Sequence, residues 1–344
     1  MEMKKRTAVV ILNWNGKEMM KRFLPSVIEN TPEAEVIVAD NGSSDGSCEM
    51  LENSFPQVTI LKLDKNYGFA EGYNKALGQL EHEYFVLLNS DVEVSKYWLA
   101  KMLDYMDEHP DVAACQPKLL SQIDKKRFEY AGAAGGFIDR YGYPFCRGRI
   151  FSTVEEDKNQ YDDVCSLFWA TGAALMIRSA DWQMAGGLDG SFFAHMEEID
   201  LCWRLRARGR KIVCVPSSAV YHVGGGTLPK ENPRKTFLNF RNNLLMLYKN
   251  LPEEELNGVM LARTLLDWLA ALQFFISGKM GDAKAVLKAR REFSRIKNSY
   301  KASRKENQKK AIQNDIAERF NCCLLVKYYV RSCKTFTQLL SKMK

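Results

Sequence analysis

The sequence predicts an α/β fold: a doubly wound, mostly parallel sheet followed by a helical C-terminal extension. Three observations predict it. Strand-like and helix-like segments alternate from residue 7 to residue 108. Three of the strands are apolar runs that stop abruptly at polar loops, the mark of strands buried on both faces. From residue 237 onward the apolar residues recur at helical spacing instead.

In chain order, residues 7–13 (TAVVILN) make the first strand, which stops at Asn13-Trp14-Asn15-Gly16. Met20, Phe23, Leu24, Val27 and Ile28 space a helix over 17–30, with Pro32 beyond its end. Residues 35–39 (EVIVA) make the second strand, closed by the turn-forming run Asp40-Asn41-Gly42-Ser43-Ser44-Asp45-Gly46-Ser47. A helix near 47–54 and a short strand over 58–63 come next. The loop from Asn66 through Gly68 to Asn74 then leads into a helix ending near residue 80. Residues 83–94 hold the strand YFVLL, which ends at Asn89-Ser90-Asp91, and a helix over 96–108 succeeds it. Beyond Pro110 the pattern weakens, and 121–165 read as an irregular lobe. Residues 168–178 read as a small-residue turn feeding a strand. From Glu197 a helix is expected with Ile199, Cys202 and Trp203 inward and Arg204, Arg206 and Arg208 outward. Residues 211–215 and 219–223 read as two strands separated by Pro216, with the loop Gly224-Gly225-Gly226-Thr227 after them.

Composition narrows the class. With 46% apolar and 26% charged residues the chain is ordinary for a globular protein. Its nine cysteines form no CxxC pair, and the N-terminal apolar run is too short for a signal peptide, so reduced cytosolic thiols are expected. Residues 279–344 carry 18 Lys and Arg against 5 Asp and Glu, and residues 1–278 carry 31 against 37. An acidic body with a basic tail points to an anionic surface as partner. A basic tail that is merely solvated is the alternative.

The chemistry gathers at the ends of the predicted strands, where open parallel sheets bind their ligands. The first βα turn lacks G-x-G-x-x-G and there is no Walker A sequence, so any nucleotide must be gripped by side chains. Asp40 is placed to pair a base or ribose edge, with the hydroxyls and N–H groups of 42–47 around it; Asx and Ser turns explain the same composition. Asp91, a hard carboxylate at a strand end, suits a divalent cation that also bridges phosphates. Equally, Ser90 or Asp91 suits the N-cap of the following helix. Glu197, Glu198 and Asp200 open a helix, which the dipole favours. Clustered in a cleft, they would also raise one another's pKa and leave one as a general base near neutral pH. His222 beside three glycines is either a metal ligand through a neutral ring nitrogen or a hydrogen-bonded structural group.

Together, VVILNWNG, VADNGSSDGS, NYGFAEGYN, VLLNSDVEV, TGAALMIRS, GGLDGSFFAHMEEIDLCWRLRARG and VYHVGG resemble, in order, the family-2 inverting glycosyltransferases of the GT-A fold, especially the bacterial rhamnosyltransferase-like branch. The resemblance spans roughly residues 7–250. It implies a GT-A nucleotide-diphospho-sugar transferase fold, a Rossmann-like mixed sheet flanked by helices, over residues 1–250. Residues 251–344 would then be a basic helical extension that associates with a membrane or packs on the catalytic part. It implies donor contacts from Asn13, Trp14, Asn15, Asp40, Asn41, Ser43, Asp45, Asn66, Gly68, Asn74, Asn89 and Ser90. Asp91 and His222 would hold Mg²⁺ or Mn²⁺. Asn89 stands where the family's metal motif has its first Asp, so Asp91 would carry more of the coordination. Glu198 falls at the usual catalytic base, with a Glu in place of the family's Asp, and Glu197 competes for the role.

The activity implied is inverting transfer of a sugar, with rhamnose from dTDP-rhamnose the leading donor, to a glycan or lipid-linked acceptor in cell-surface polysaccharide synthesis. Residues 256–276 are apolar but are interrupted by Arg263 and Asp267, which argues for a helix in the membrane interface or packed on the protein rather than a span. A cytoplasmic protein at the inner face of the cell membrane is expected, with no nucleic-acid partner. A catalytically silent, membrane-associated relative of these enzymes is the alternative. A nucleotidyltransferase ranks last, because LNWNG lacks the Gly- and Arg/Lys-rich phosphate loop that reaction needs.

Overall fold

The computed structural model describes residues 5–224 and 232–342. The strands are β1 (Thr7–Asn13), β2 (Ala34–Asp40), β3 (Thr59–Lys62), β4 (Tyr84–Leu88), β5 (Val92–Val94), β6 (Val112–Ser121), β7 (Gly136–Asp139), β8 (Pro144–Cys146), β9 (Arg149–Ile150), β10 (Thr153–Val154), β11 (Cys165–Ser166), β12 (Ala174–Arg178), β13 (Lys211–His222) and β14 (Arg319–Phe320). The helices are α1 (Lys17–Glu29), α2 (Ser47–Ser54), α3 (Gly68–Leu77), α4 (Trp98–Glu108), α5 (Ser179–Ala185), α6 (Glu197–Ala207), α7 (Pro233–Asn250), α8 (Glu253–Ile276), α9 (Met280–Ile296), α10 (Lys301–Lys310) and α11 (Phe336–Ser341).

The main sheet runs β11-β13-β6-β12-β4-β1-β2-β3, with β5 also paired to β13. Strands β3, β2, β1 and β4 are parallel, and β12 lies antiparallel between β4 and β6. The sheet is therefore mixed, where strand–helix alternation alone predicts a mostly parallel one. Alternate residues of the parallel strands feed two cores. Val9, Ile11, Val36, Val38, Val86 and Leu88 meet α1, α2 and α4 on one face. Ala8, Val10, Ile37, Ala39, Phe85 and Leu87 meet α3 and α6 on the other. Both side-chain sets are apolar because both faces are covered.

Sequence pattern misses β6. Gln116-Pro117-Lys118 interrupts its apolar character, yet all ten residues except Ser121 are buried. Lys118 is charged there because Asp157 (2.9 Å) and Asp162 receive it. Its neighbour β13 is one continuous strand rather than two: the register slips between Val215 and Ala219, so Pro216 bulges out of the ladder it cannot join. Helix α3 starts at Gly68, so most of the expected 66–74 loop is helical.

The stretch that reads as irregular contains a second, five-stranded sheet, β10-β9-β8-β7-β14. Its last strand comes from the basic tail, and Phe137, Phe145, Phe320 and Phe336 stack together across it. The tail is thus docked rather than freely solvated. Helix α8 is held by its polar side. Arg263 donates to Asp267 (2.9 Å) and to the carbonyl of Tyr141 (2.9 Å), and Arg290 donates to Asp267 (2.6 Å). Arg263→Met is expected to destabilise the fold by about 3–5 kcal/mol, because it strips a buried carboxylate of one of its two cations. Urea denaturation reads this directly.

Candidate active site

Three loops leave the carboxyl ends of β1, β2 and β4, and hydrogen bonds knit the first two together. Asn13 donates to Asp40 (3.1 Å) and to Ser43 Oγ (3.2 Å), and the Ser43 N–H donates back to Asp40 (3.0 Å). Asn15 accepts from the Ser44 N–H (2.8 Å), while Asp45 accepts from the N–H groups of Lys17 (2.9 Å) and Ser47 (3.0 Å). Asp40 and Asn13 are buried, Trp14 stands half exposed beside them, and Asn13 Oδ1 has no hydrogen-bond partner. An orphaned buried acceptor of this kind is a standing place for a ligand donor.

Other predicted contacts turn out to be internal locks. The side chain of Asn41 donates to the carbonyl of Gly68 (3.0 Å) and to Asn66 (3.3 Å), and accepts from the Tyr67 N–H (2.9 Å). Asn74 sits inside α3, with its amide on both backbone groups of Leu188 at 2.8 and 2.9 Å. Gly68 has φ +77°, and a Cβ there would lie 2.5 Å from the Phe193 ring. That contact brings the start of α3 against the segment that precedes α6.

Ser90 reaches the first loop, where its Oγ lies 3.6 Å from the position a Gly16 Cβ would take. Asp91 leads into β5, not into a helix, so the N-cap reading of Ser90 and Asp91 falls. Pairing of β5 with β13 sets His222 opposite Val92 and so beside Asp91. His222 Nε2 donates to Asp91 (3.1 Å), and Nδ1 faces Glu129 (3.3 Å). Burial opposes a charged imidazole here, but the two carboxylates outweigh it and push His222 up to about 10. Burial likewise works to raise Asp91, and His222 reverses the sign, holding that carboxyl below its ordinary value. Asn89 Nδ2 is drawn 3.3 Å from His222 Nε2. Two donors cannot share that contact, so we assign the amide flipped, with Oδ1 toward the ring. Sequence pattern gives no sign of Glu129, which comes from the irregular stretch and carries no motif. The glycines 225–226 and Thr227 lie outside the described residues.

Whether a cation fits can be tested on the donors. Among the described residues no three His, Cys, Asp or Glu side chains converge as a ready cage. Asp91 and the Nε2 face of His222 do converge, 3.1 Å apart. That is about the spacing of neighbouring ligands around a Mg²⁺-sized ion with ~2.1 Å bonds. Such a two-donor corner would leave the remaining positions open to phosphate oxygens and water. Glu129 behind the ring is the orienting carboxylate that metal-binding histidines commonly carry. The residues fit.

The third cluster begins α6. Asp200 is fully engaged by Lys249 (2.9 Å), Arg204 (3.0 Å) and Asn250 (2.8 Å), which makes it structural. Arg204 and Arg206 point inward, contrary to expectation; Arg204 caps the carbonyls of Ala185 and Gly187, and Arg206 meets Glu318. Glu197 and Glu198 are different. Each has a buried Oε2 with no partner. Burial pushes Glu198 up to about 7, and burial plus the neighbouring Glu198 raises Glu197 well above the carboxylate range. Glu197 is the deeper of the two. The Cβ of Glu198 lies near the Thr171-Gly172-Ala173 turn, 3.9 Å from where a Gly172 Cβ would be. The same turn accepts the Asn89 N–H on the Ala173 carbonyl (3.0 Å), so the α6 carboxyls and the Asp91 corner share one wall.

The segment entering α6 is strained. Phe193, His195 and Met196 all have positive φ, at 65°, 72° and 73°. Helix α7 holds it: Asn242 Nδ2 donates to the carbonyls of Phe192 (2.9 Å), Ala194 (2.9 Å) and His195 (2.8 Å). Burial keeps the His195 ring neutral, at about 4. Asn242→Ala is expected to lower stability by roughly 2 kcal/mol by orphaning those carbonyls, and a thermal melt measures it.

Known proteins of similar sequence and shape bear on the family and the fold. The glycosyl transferase family 2 model matches residues 8–184. The N-acetylglucosaminyl-diphospho-decaprenol L-rhamnosyltransferase of Mycobacterium tuberculosis is 26% identical over 231 residues, 62% of this chain and 75% of that protein. The rhamnosyltransferase WbbL of Escherichia coli is 22% identical over 223 residues, 62% of this chain and 82% of that one. Among solved structures, GalNAc-T7 with UDP, GalNAc and Mn²⁺ superposes at a TM-score of 0.56 and 15% identity over 72% of this chain, which spans about half (48%) of that longer one. The Pyrobaculum calidifontis mannosyltransferase PcManGT with GDP-Man and Mn²⁺ gives 0.51 at 13% identity over 91% of this chain and 88% of that one. At such identities the structures speak for the fold alone, and the fold is of the GT-A kind. With the family model covering just over half of the chain, the molecule is a member of glycosyl transferase family 2.

Proposed function

We propose that the protein transfers a hexose, with inversion, from a nucleotide-diphospho donor to a glycan or lipid-linked acceptor in bacterial cell-surface polysaccharide synthesis, with dTDP-rhamnose as donor. The observation that carries the reading is the pair of unpartnered buried carboxyls, Glu197 and Glu198, on the same wall as the Asp91–His222 corner. The rhamnosyltransferase relatives support the choice of sugar. The nucleotide base and ribose lie against Asp40, Asn13, Asn15, Ser43 and the exposed Trp14. Asn66, Gly68, Asn41 and Asn74 shape that pocket through their internal hydrogen bonds and packing.

Asp91 and His222, oriented by Glu129, would hold Mg²⁺ or Mn²⁺, and Asn89 and Ser90 flank them. When bound, the cation neutralises charge gathering on the departing diphosphate. Glu198 takes the proton of the acceptor hydroxyl. The acceptor oxygen attacks the anomeric carbon from the face opposite the nucleotide, and the bond from that carbon to the diphosphate oxygen breaks. The configuration inverts and no covalent intermediate forms on the protein. The basic C-terminal part brings the enzyme to the anionic inner face of the cell membrane, where a lipid-linked acceptor would lie.

The test is a thermal-shift and transfer screen across dTDP-, UDP- and GDP-sugars with and without Mn²⁺. A metal-dependent melting shift with dTDP-rhamnose, together with product of inverted configuration, is expected. Stabilisation by UDP- or GDP-sugars alone would replace the donor, and no response to any of them would end the proposal.

A further inference from the structure

Helix α8 has two unlike sides. One carries Arg263 and Asp267, buried and tied to Arg290, Tyr141 and Asn243. The other carries Leu261, Leu265, Trp268, Leu272, Phe275 and Ile276, each more than half exposed to solvent. Their spacing is helical, so they form one stripe about 22 Å long at 1.5 Å per residue. Monomeric soluble proteins rarely leave so long an apolar strip in water, and such strips mark docking surfaces.

The helix is long and apolar enough to cross a bilayer by length and composition. Its polar side argues otherwise: crossing would carry the buried Arg263–Asp267–Arg290 network away from α7 and α9, or bring those helices with it into hydrocarbon. A helix fastened by one side and apolar on the other is built to lie in a surface.

Charge decides what covers the stripe. The next helix, α9, exposes Lys284, Lys288, Arg291 and Arg295 along its outer face, and α10 exposes Lys301, Lys305, Lys309 and Lys310. A second copy of the chain brought against this helical extension would meet like charge, since residues 279–344 carry 18 Lys and Arg against 5 Asp and Glu. An anionic lipid surface complements that charge, and Trp268 and Phe275 are side chains that settle readily at a bilayer interface. The geometry points to α8 lying flat in an anionic bilayer surface, its 261–276 stripe inserted among the acyl chains and the basic faces of α9 and α10 on the head groups. This rests on the membrane-surface part of the proposed function and adds which face enters the lipid.

The test uses the full-length protein and vesicles of equal parts phosphatidylglycerol and phosphatidylcholine. We expect the wild type to co-sediment as a monomer, and vesicles of brominated lipid to quench a tryptophan signal that Trp268→Phe removes. Leu265→Glu/Leu272→Glu should weaken partitioning about tenfold or more while keeping a cooperative melt, since both side chains are exposed. If that variant binds as the wild type does, and binding instead collapses in high salt, the tail's charge alone suffices; the inference falls and the membrane reading stands. If the wild type binds neither anionic nor neutral vesicles, both fall. If the wild type is a dimer that the variant dissociates, the stripe belongs to a second copy and the inference is overturned. The Trp268→Phe quenching comparison decides the matter even if the double variant does not fold.

Discussion

Glu198→Gln is expected to slow sugar transfer by about 10²–10⁴-fold, the range that a positioned general base supplies. Glutamine keeps the shape and hydrogen-bonding reach of the side chain but cannot accept the acceptor's proton. The pH profile gives the independent check. With its carboxyl pushed up to about 7 by burial, Glu198 is mostly protonated at pH 6. Wild-type kcat/KM should therefore rise with pH up to about 7 and then level off, and the variant should lose that limb. Stability should move the other way. A carboxyl whose folded value lies above its ordinary 4.5 binds its proton more tightly in the native state. Its stabilising contribution is complete below pH 4.5 and is lost as pH rises through 7, a change of roughly 3 kcal/mol. Glu198→Gln should remove much of that slope and melt higher than the wild type at pH 8. Glu197→Gln, in contrast, should keep most of the rate. If Glu197→Gln abolishes transfer and Glu198→Gln does not, the two roles are reversed.

Asp91→Asn is expected to lower kcat/KM on the order of 10³-fold, because it removes the one carboxylate in the Asp91–His222 corner that faces a diphosphate. The substitution is isosteric and leaves a hydrogen-bond acceptor for His222 Nε2, so the corner should keep its shape. Calorimetry separates binding from chemistry: the wild type should bind a nucleoside diphosphate tightly only with Mn²⁺ present, and Asp91→Asn should lose that dependence. Glu129→Gln should produce a milder version, since it loosens the ring without removing a donor. An Asp91→Asn enzyme with unchanged metal-dependent binding would remove the corner from the mechanism.

Much of the catalytic half is legible in the sequence because its strands are buried on both faces. β1, β2 and β4 each read as one apolar run, and the polar loop at the end of each run stands where open parallel sheets bind their ligands. β6 is hidden by Lys118, whose burial makes sense only beside Asp157 and Asp162, about forty residues away and in no motif. The same holds for Arg204 and Arg206, which look like solvent-facing arginines until Asp200 and Glu318 are placed next to them. Periodicity sees a single helix, whereas a buried cation is defined by the partner that neutralises it. The motif residues themselves divide unevenly. Asp91, His222 and Glu198 meet near one wall, but Asn41 and Asn74, written with equal weight in the sequence, are engaged with backbone. Glu129 could be found only through the ring it orients.

The small sheet has one more consequence, which falls during synthesis. β14 pairs with β7 although all the chain from β8 through α10 lies between them, and Phe320 and Phe336 complete the aromatic stack that β7 and β8 begin. Until residues near 336 have left the ribosome, the nascent chain must carry that edge and those phenyl rings uncovered, long after the larger sheet has the residues to form. Closing so distant a pair is slow by loop entropy alone. A stretch translated well after the lobe therefore acts as its latch, and truncations before Phe320 should yield chains that aggregate rather than merely shorter enzymes.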